Sequence, residues 1–327
     1  MDYDLKAIDD LKIPSELNEF LNYLKTIKGK SINTIDGYCF DLVIFYRFLL
    51  MYKHLVDMKA PFNEIYIANV NIDLIKNVTL NDLYSYISFA ENYRGNGTYA
   101  KARKIAALKS YFKFLHNKVK LIDLNPAAEL ESPKIRKANP IYLTLEESKS
   151  LLNSVEGENS ERDFCIITFF LNCGMRLSEL CGINISKIKA DTITVLGKGD
   201  KERVLYLNSS CIKALNNYLA VRANLDDNKI LDKDPLFLSR QYKRINKRTV
   251  ELIVEKYLAK AGLTNDKYSP HKLRHTAATL MYKYGKVDIR ALQRILGHES
   301  IATTQIYTHL DDEQLREAVK LNPLNEE

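Results

Sequence analysis

The chain has 327 residues, 46% hydrophobic and 27% charged, with a formal net charge of +7. That length favours two domains over a single core, and no stretch approaches the roughly 20 apolar residues that a membrane span requires. Residues 311–327 hold six acids and two bases, so the remainder of the chain carries +11, an excess that suits a polyanionic partner.

The first residues, MDYDLKAIDD, are acidic and lack the basic and apolar regions of a secretory signal. The five cysteines are odd in number and form no CxxC pair. Both features fit a cytoplasmic protein with buried free thiols.

Residues 14–120 read as helices. Apolar residues recur at helical spacing in SELNEFLNYLKTI and TIDGYCFDLVIFYRFLLMYK, and Thr79 with Asp82 forms a capping pair ahead of LYSYISFAENY. The segment 98–120, TYAKARKIAALKSYFKFLHNKVK, contains seven Lys or Arg and no acid. Ile105, Leu108, Phe112 and Leu115 make its apolar stripe. Lys101, Arg103, Lys104 and Lys109 fall elsewhere on the helix and are candidate contacts to a nucleic-acid backbone.

Residues 125–140, NPAAELESPKIRKANP, contain three prolines and read as an extended linker. A new helix starts after Thr144, where T-L-E-E offers a capping box. The second half is mixed. TITVL (192–196) and RVLYL (203–207) flank Gly197, Lys198, Gly199 and Asp200, which predicts a β-hairpin with a glycine-rich tip. RQYKRINKR (240–248) carries five bases and no acid. Its Arg240, Lys243, Arg244, Lys247 and Arg248 are further candidates for phosphate contact.

The stretch SPHKLRHTAATLMYKYG (269–285) crowds cations together. His271 and His275 have the i, i+4 spacing of a zinc helix, but Lys272 stands where a catalytic glutamate would be. No Asp or Glu falls between residues 267 and 287, so no metal is expected. An anion fits better. Pro270 suits a first helical turn, whose free N–H groups attract negative charge. Arg274 adds a fork of donors matched to phosphate oxygens.

At this point the chain resembles the tyrosine recombinase/integrase family. HKLRH is similar to that family's H-x-x-R box, LNCGMRLSELCGI (171–183) to its first arginine box, and LGHESIATTQIYTHL (296–310) to its final box. The hairpin LGKGDKERVLYL (196–207) resembles the one that carries the family's lysine. The resemblance implies Arg176, Lys198, His271, Arg274, His298 and Tyr307 as catalytic residues, with Lys201 as an alternative lysine and Glu179 orienting Arg176. His275 is expected to have a structural or supporting role. No cofactor is implied.

What the resemblance implies about fold is mainly α with a small β-sheet: a helical core-binding domain (12–120), a linker (121–140) and a catalytic domain (141–327), closing as a C-shaped clamp on DNA. Asp311 and Gln314 would cap a C-terminal helix that docks into a neighbouring protomer. The partner would be a double-stranded recombination site, held by a homotetramer or by a heterotetramer with a paralogous recombinase. The compactness resembles bacterial Xer-type recombinases, which resolve chromosome or plasmid dimers. An integrase or excisionase of a mobile element shares the fold. A DNA-binding regulator without catalysis would not need all six positions filled. A type IB topoisomerase shares the chemistry but would relax supercoiled DNA as a monomer.

Overall fold

The computed structural model describes residues 13–134, 140–197, 201–225, 230–263, 268–285 and 287–310. The chain divides into two compact units, residues 1–137 and 138–327.

The first unit is helical: α1 (Ser15–Thr26), α2 (Ile32–Tyr52), the short α3 (Ile72–Lys76), α4 (Leu80–Asn92) and α5 (Thr98–Asn117). Thr79 and Asp82 close the expected capping box at the start of α4, each side chain bonding the other's backbone N–H. Phe20, Phe45, Tyr86, Tyr111 and Phe112 fill the core, joined by edge-to-face ring contacts. Two polar networks are buried with them. Tyr46 donates to Glu16 Oε1 at 2.9 Å and meets the Tyr111 hydroxyl at 2.6 Å. Asp41 accepts from Lys104 Nζ at 2.6 Å and from Arg103 Nη2 at 3.1 Å.

Lys104 therefore corrects the sequence expectation. It is 2% exposed and its ammonium faces Asp41 of α2, away from solvent. The buried arc of α5 is wider than the predicted stripe, because Tyr111 and Phe114 are buried as well. Lys104 stands four and seven residues before Leu108 and Tyr111, on the same face.

The second unit begins with α6 (Leu145–Asn153), whose capping box joins Thr144 and Glu147. α7 (Ser160–Cys173) is apolar on nearly every side and forms the centre, packed against α9 (Ser209–Ala223) and α11 (Pro270–Lys283). Between them lie α8 (Leu177–Cys181) and an antiparallel sheet of order β1 (Ile188–Lys189), β2 (Thr192–Leu196) and β3 (Glu202–Tyr206). The hairpin register pairs Thr192 with Tyr206 and Leu196 with Glu202, and Gly197 N–H continues the ladder to the Lys201 carbonyl at 2.8 Å. α10 (Lys247–Lys260) and α12 (Ile289–Leu296) complete the helices, followed by 3-10 turns at Ile301–Thr303 and Gln305–Leu310. All five cysteines are buried free thiols. No described helix is long and apolar enough to cross a membrane.

Candidate active site

Two helix ends build the site. α7 ends at Gly174 and α12 at Gly297, and both glycines are left-handed, with φ of 59° and 63°. Glycine takes this conformation without the Cβ penalty of other residues. Each ending leaves backbone carbonyls without helical partners, at the negative end of the helix dipole. Arginines fill both. Arg274, 3% exposed on α11, donates through Nη1 to the Gly174 carbonyl and through Nη2 to the Leu296 carbonyl, each at 2.6 Å. Arg176, at the N-cap of α8, donates through Nη2 to the Gly297 carbonyl at 2.8 Å.

Glu179 joins these cations. Its side chain is fully buried, 2.7 Å from Arg176 Nη1, 2.8 Å from Arg203 Nη2 and 3.9 Å from Arg274 Nη1. Burial pushes the Glu179 pKa up, but the hydrogen bonds and charges of Arg203 and Arg176 outweigh it and hold the carboxyl below its usual range. Arg203 also donates to the Ile295 carbonyl, so it links strand β3 to α8 and α12. Sequence reasoning missed it, although a charged residue in the strand RVLYL was a visible signal.

The histidines and the tyrosine complete the cluster. His298, just past Gly297, sets Nδ1 2.9 Å from the Thr304 hydroxyl. Burial and the charges of Arg274, Arg176 and Arg203 lower its pKa to about 4, so its ring is neutral at pH 7. Tyr307 is 1% exposed, and burial raises its pKa to about 12 against a small opposing effect of Arg274. Its hydroxyl lies 2.7 Å from Nδ1 of His275. His271, which the resemblance implied as catalytic, packs its ring edge-to-face on His275, centroids 4.5 Å apart. His275, expected only to support the helix, is thus the residue on the phenol.

A pocket of about 410 Å³ opens beside this cluster, lined by Arg176, Lys201, Arg203 and His298 among others. Tyr307 is not among its lining residues. Lys198 lies outside the described residues, while Lys201 is exposed at the hairpin. The described residues contain no group of three or more His, Cys, Asp or Glu placed to hold a metal ion.

The other cationic candidates divide. Lys101 is ion-paired with Glu91, and Arg103, about half exposed, with Asp41, so neighbouring helices supply the acids that α5 lacks. Lys109 is half-buried. In the 240–248 segment Arg240, Lys243, Arg244, Lys247 and Arg248 are all exposed. Arg248 lies 3.4 Å from Glu251 and 3.5 Å from Glu255. Arg244 donates to the Cys181 and Ile183 carbonyls and to Asn184 Oδ1 at 2.7 Å, which makes it a brace for the loop after α8.

One buried and two half-buried arginines around a histidine and a tyrosine suit the transfer of a phosphoryl group to a phenol. Comparison with known proteins gives that chemistry a family. Residues 142–314 match the phage integrase family. Tyrosine recombinase XerC of Caldanaerobacter subterraneus subsp. tengcongensis is 55% identical over 99% of this chain and 91% of its own. Tyrosine recombinase XerC of Thermodesulfovibrio yellowstonii is 35% identical over 95% of this chain and 97% of its own. The crystal structure of XerH site-specific recombinase, bound to palindromic difH substrate in a post-cleavage complex, shares the fold. Its TM-score is 0.69 at 24% identity, covering 93% of this chain and 84% of that one. The chain belongs to the phage integrase family and, within it, to the Xer-type tyrosine recombinases, which transfer DNA strands.

Proposed function

We propose that this chain is a site-specific recombinase that cuts and rejoins duplex DNA through a 3′-phosphotyrosyl intermediate, with Tyr307 as the nucleophile. The observation that supports it best is the convergence of Arg176, Arg274, His298 and Tyr307, from four separate segments, around the ends of α7 and α12. Attack by the phenolic oxygen forms a bond to phosphorus and expels a 5′-hydroxyl. The ester energy stays in the tyrosyl bond, so rejoining needs no nucleotide cofactor. Negative charge gathers on the nonbridging oxygens as the phosphorus becomes five-coordinate. Arg176 and Arg274 neutralise it from positions fixed in advance, and neutral His298 adds a donor. Lys198, or Lys201 on the same hairpin, protonates the leaving 5′-oxygen.

In this reading residues 12–120 form the core-binding domain, 121–140 the linker and 141–327 the catalytic domain. Four protomers, alike or shared with a paralogue, hold two sites. The terminal segment, including the Asp311 and Gln314 cap, docks in trans; it lies outside the described residues. Resolution of chromosome or plasmid dimers is the role that the resemblance to Xer-type recombinases implies.

Covalent trapping tests the reading. A pool of duplexes, randomised on both sides of one fixed nick, is incubated with the protein and then boiled in detergent. Wild type is expected to retain DNA strands on Tyr307, and Tyr307→Phe none. Strands retained equally by Tyr307→Phe, or by neither protein, would overturn it. Sequencing the trapped strands identifies the site.

A further inference from the structure

We propose that His275 is the base that takes the proton from Tyr307 during strand cleavage. The inference rests on the strand-transfer reading and assigns a further catalytic residue within it.

The geometry comes first. The Tyr307 hydroxyl is 2.7 Å from His275 Nδ1, within the reach that proton transfer requires. The ring centroids are 5.7 Å apart, with the planes at 55°. A phenol has one proton, and an imidazole nitrogen at this distance can receive it only with its lone pair free. Nδ1 is then the acceptor and Nε2 carries the ring proton. Half-buried His275 sits one turn after His271 on α11, between Arg274 and Thr276, which are 3% and 0% exposed. His271 backs its ring from the preceding turn.

The electrostatics agree. His275 faces His271, Lys272 and Arg274 of its own helix, His298 beyond α12, and Tyr307 itself. Burial first, then the positive charges of Lys272 and Arg274 and the neighbouring His271, hold its pKa at about 4 and keep its imidazole neutral at pH 7. The same surroundings make it a weak base while no anion is present. A phosphodiester bound between Arg176 and Arg274 offsets their charge and raises the proton affinity of His275 when the phenol must ionise. Proton transfer is thereby tied to substrate binding.

The step balances. Tyr307 Oη bonds to phosphorus as its proton passes to His275 Nδ1. The bond from phosphorus to the 5′-oxygen breaks, and that oxygen takes a proton from the hairpin lysine. In rejoining, the 5′-hydroxyl returns its proton to the lysine and attacks phosphorus, and the imidazolium of His275 reprotonates Tyr307. Both groups end as they began.

His275→Asn separates proton transfer from positioning, because its amide oxygen replaces Nδ1 as a hydrogen-bond acceptor but takes no proton. Adduct formation is measured in single turnovers on a nicked duplex recovered from the randomised pool, across pH, beside wild type and Tyr307→Phe. The expected result is a rate about 10²–10⁴-fold below wild type near neutral pH, with DNA binding retained. That rate should climb with pH as hydroxide replaces the missing base, while wild type levels off. A variant rate equal to wild type would overturn the inference. So would a faster one, which would make His275 a latch that holds the tyrosine inside. A slower rate with an unchanged pH profile would reduce His275 to a packing role and overturn it too. Absence of an adduct from wild type overturns the strand-transfer reading itself, whereas the other outcomes count against His275 alone.

Discussion

The guanidinium of Arg203 grips the carboxylate of Glu179 through two nitrogens, Nη2 at 2.8 Å from Oε2 and Nε at 3.2 Å from Oε1. This pair ties β3 to the segment that carries Arg176, and Glu179 is the acid the site arginines share. Replacing it with Gln leaves buried Arg274 and half-buried Arg203 without a counter-charge. Loss of one partner of a buried pair costs about 3–5 kcal/mol. Glu179→Gln should lose stability of that order by urea denaturation, and strand cleavage should fall with it. Arg203→Lys keeps the charge but not the two-pronged contact, so it should recover only part of either.

The two low histidine pKa values give stability a pH dependence. His275 and His298 are each lowered to about 4, first by burial and then by neighbouring cations. Between the ordinary histidine pKa of about 6.5 and about 4 the unfolded chain binds protons that the folded chain refuses. Stability is therefore complete above that window and falls as pH drops through it. Melting temperatures recorded from about pH 7 to about pH 4 should decline more steeply for wild type than for His298→Asn. Equal slopes would show that His298 does not contribute.

Local signals were the legible part of this chain. Thr79 with Asp82 and Thr144 with Glu147 announced helix starts because a capping box is complete within four residues. The β2–β3 hairpin was readable from its alternation and its glycines. The four motif boxes named the family. What stayed hidden depends on pairs far apart in sequence. Strand β1 is two residues long and exists only by pairing with β2. Lys104 meets Asp41 from another helix, and His275 meets Tyr307 from 32 residues away. The spacing of His271 and His275 is that of a zinc helix, although the surrounding residues argued against a metal. It positions instead one ring against the other, with the phenol on the second.

Gly297 is held by its surroundings as well as by its backbone. At φ of 63° a Cβ there would lie 2.9 Å from Cδ of Arg203, and the Gly297 carbonyl is the acceptor for Arg176. Left-handed backbone costs a non-glycine residue about 1–3 kcal/mol, and the close contact displaces Arg203 as well. Gly297→Ala should lose about 1–3 kcal/mol of stability by urea denaturation and slow adduct formation more than that loss alone explains. A variant with wild-type cleavage would show that the ends of α12 and the arginines are less strictly coupled.

The basic residues of the two units should respond differently to salt. Exposed lysines that meet phosphates release counterions on binding, so each one removed lowers the slope of log affinity against log salt by about 1. Lys247, exposed at the start of α10, is expected to behave in this way. Lys104 is not. Its ammonium sits 2.6 Å from Asp41, whose Oδ2 is buried without a hydrogen-bond partner. Burial already raises the Asp41 pKa against the pull of Lys104 and Arg103, so removing Lys104 leaves a poorly compensated carboxylate inside the first unit. Lys104→Met should cost about 3–5 kcal/mol of stability and leave the salt slope of the folded protein unchanged. Lys247→Ala should leave stability within about 0.5 kcal/mol and reduce the slope. Filter binding across a salt series, paired with denaturation of each variant, separates the two. A lower salt slope in Lys104→Met would return that residue to the DNA surface.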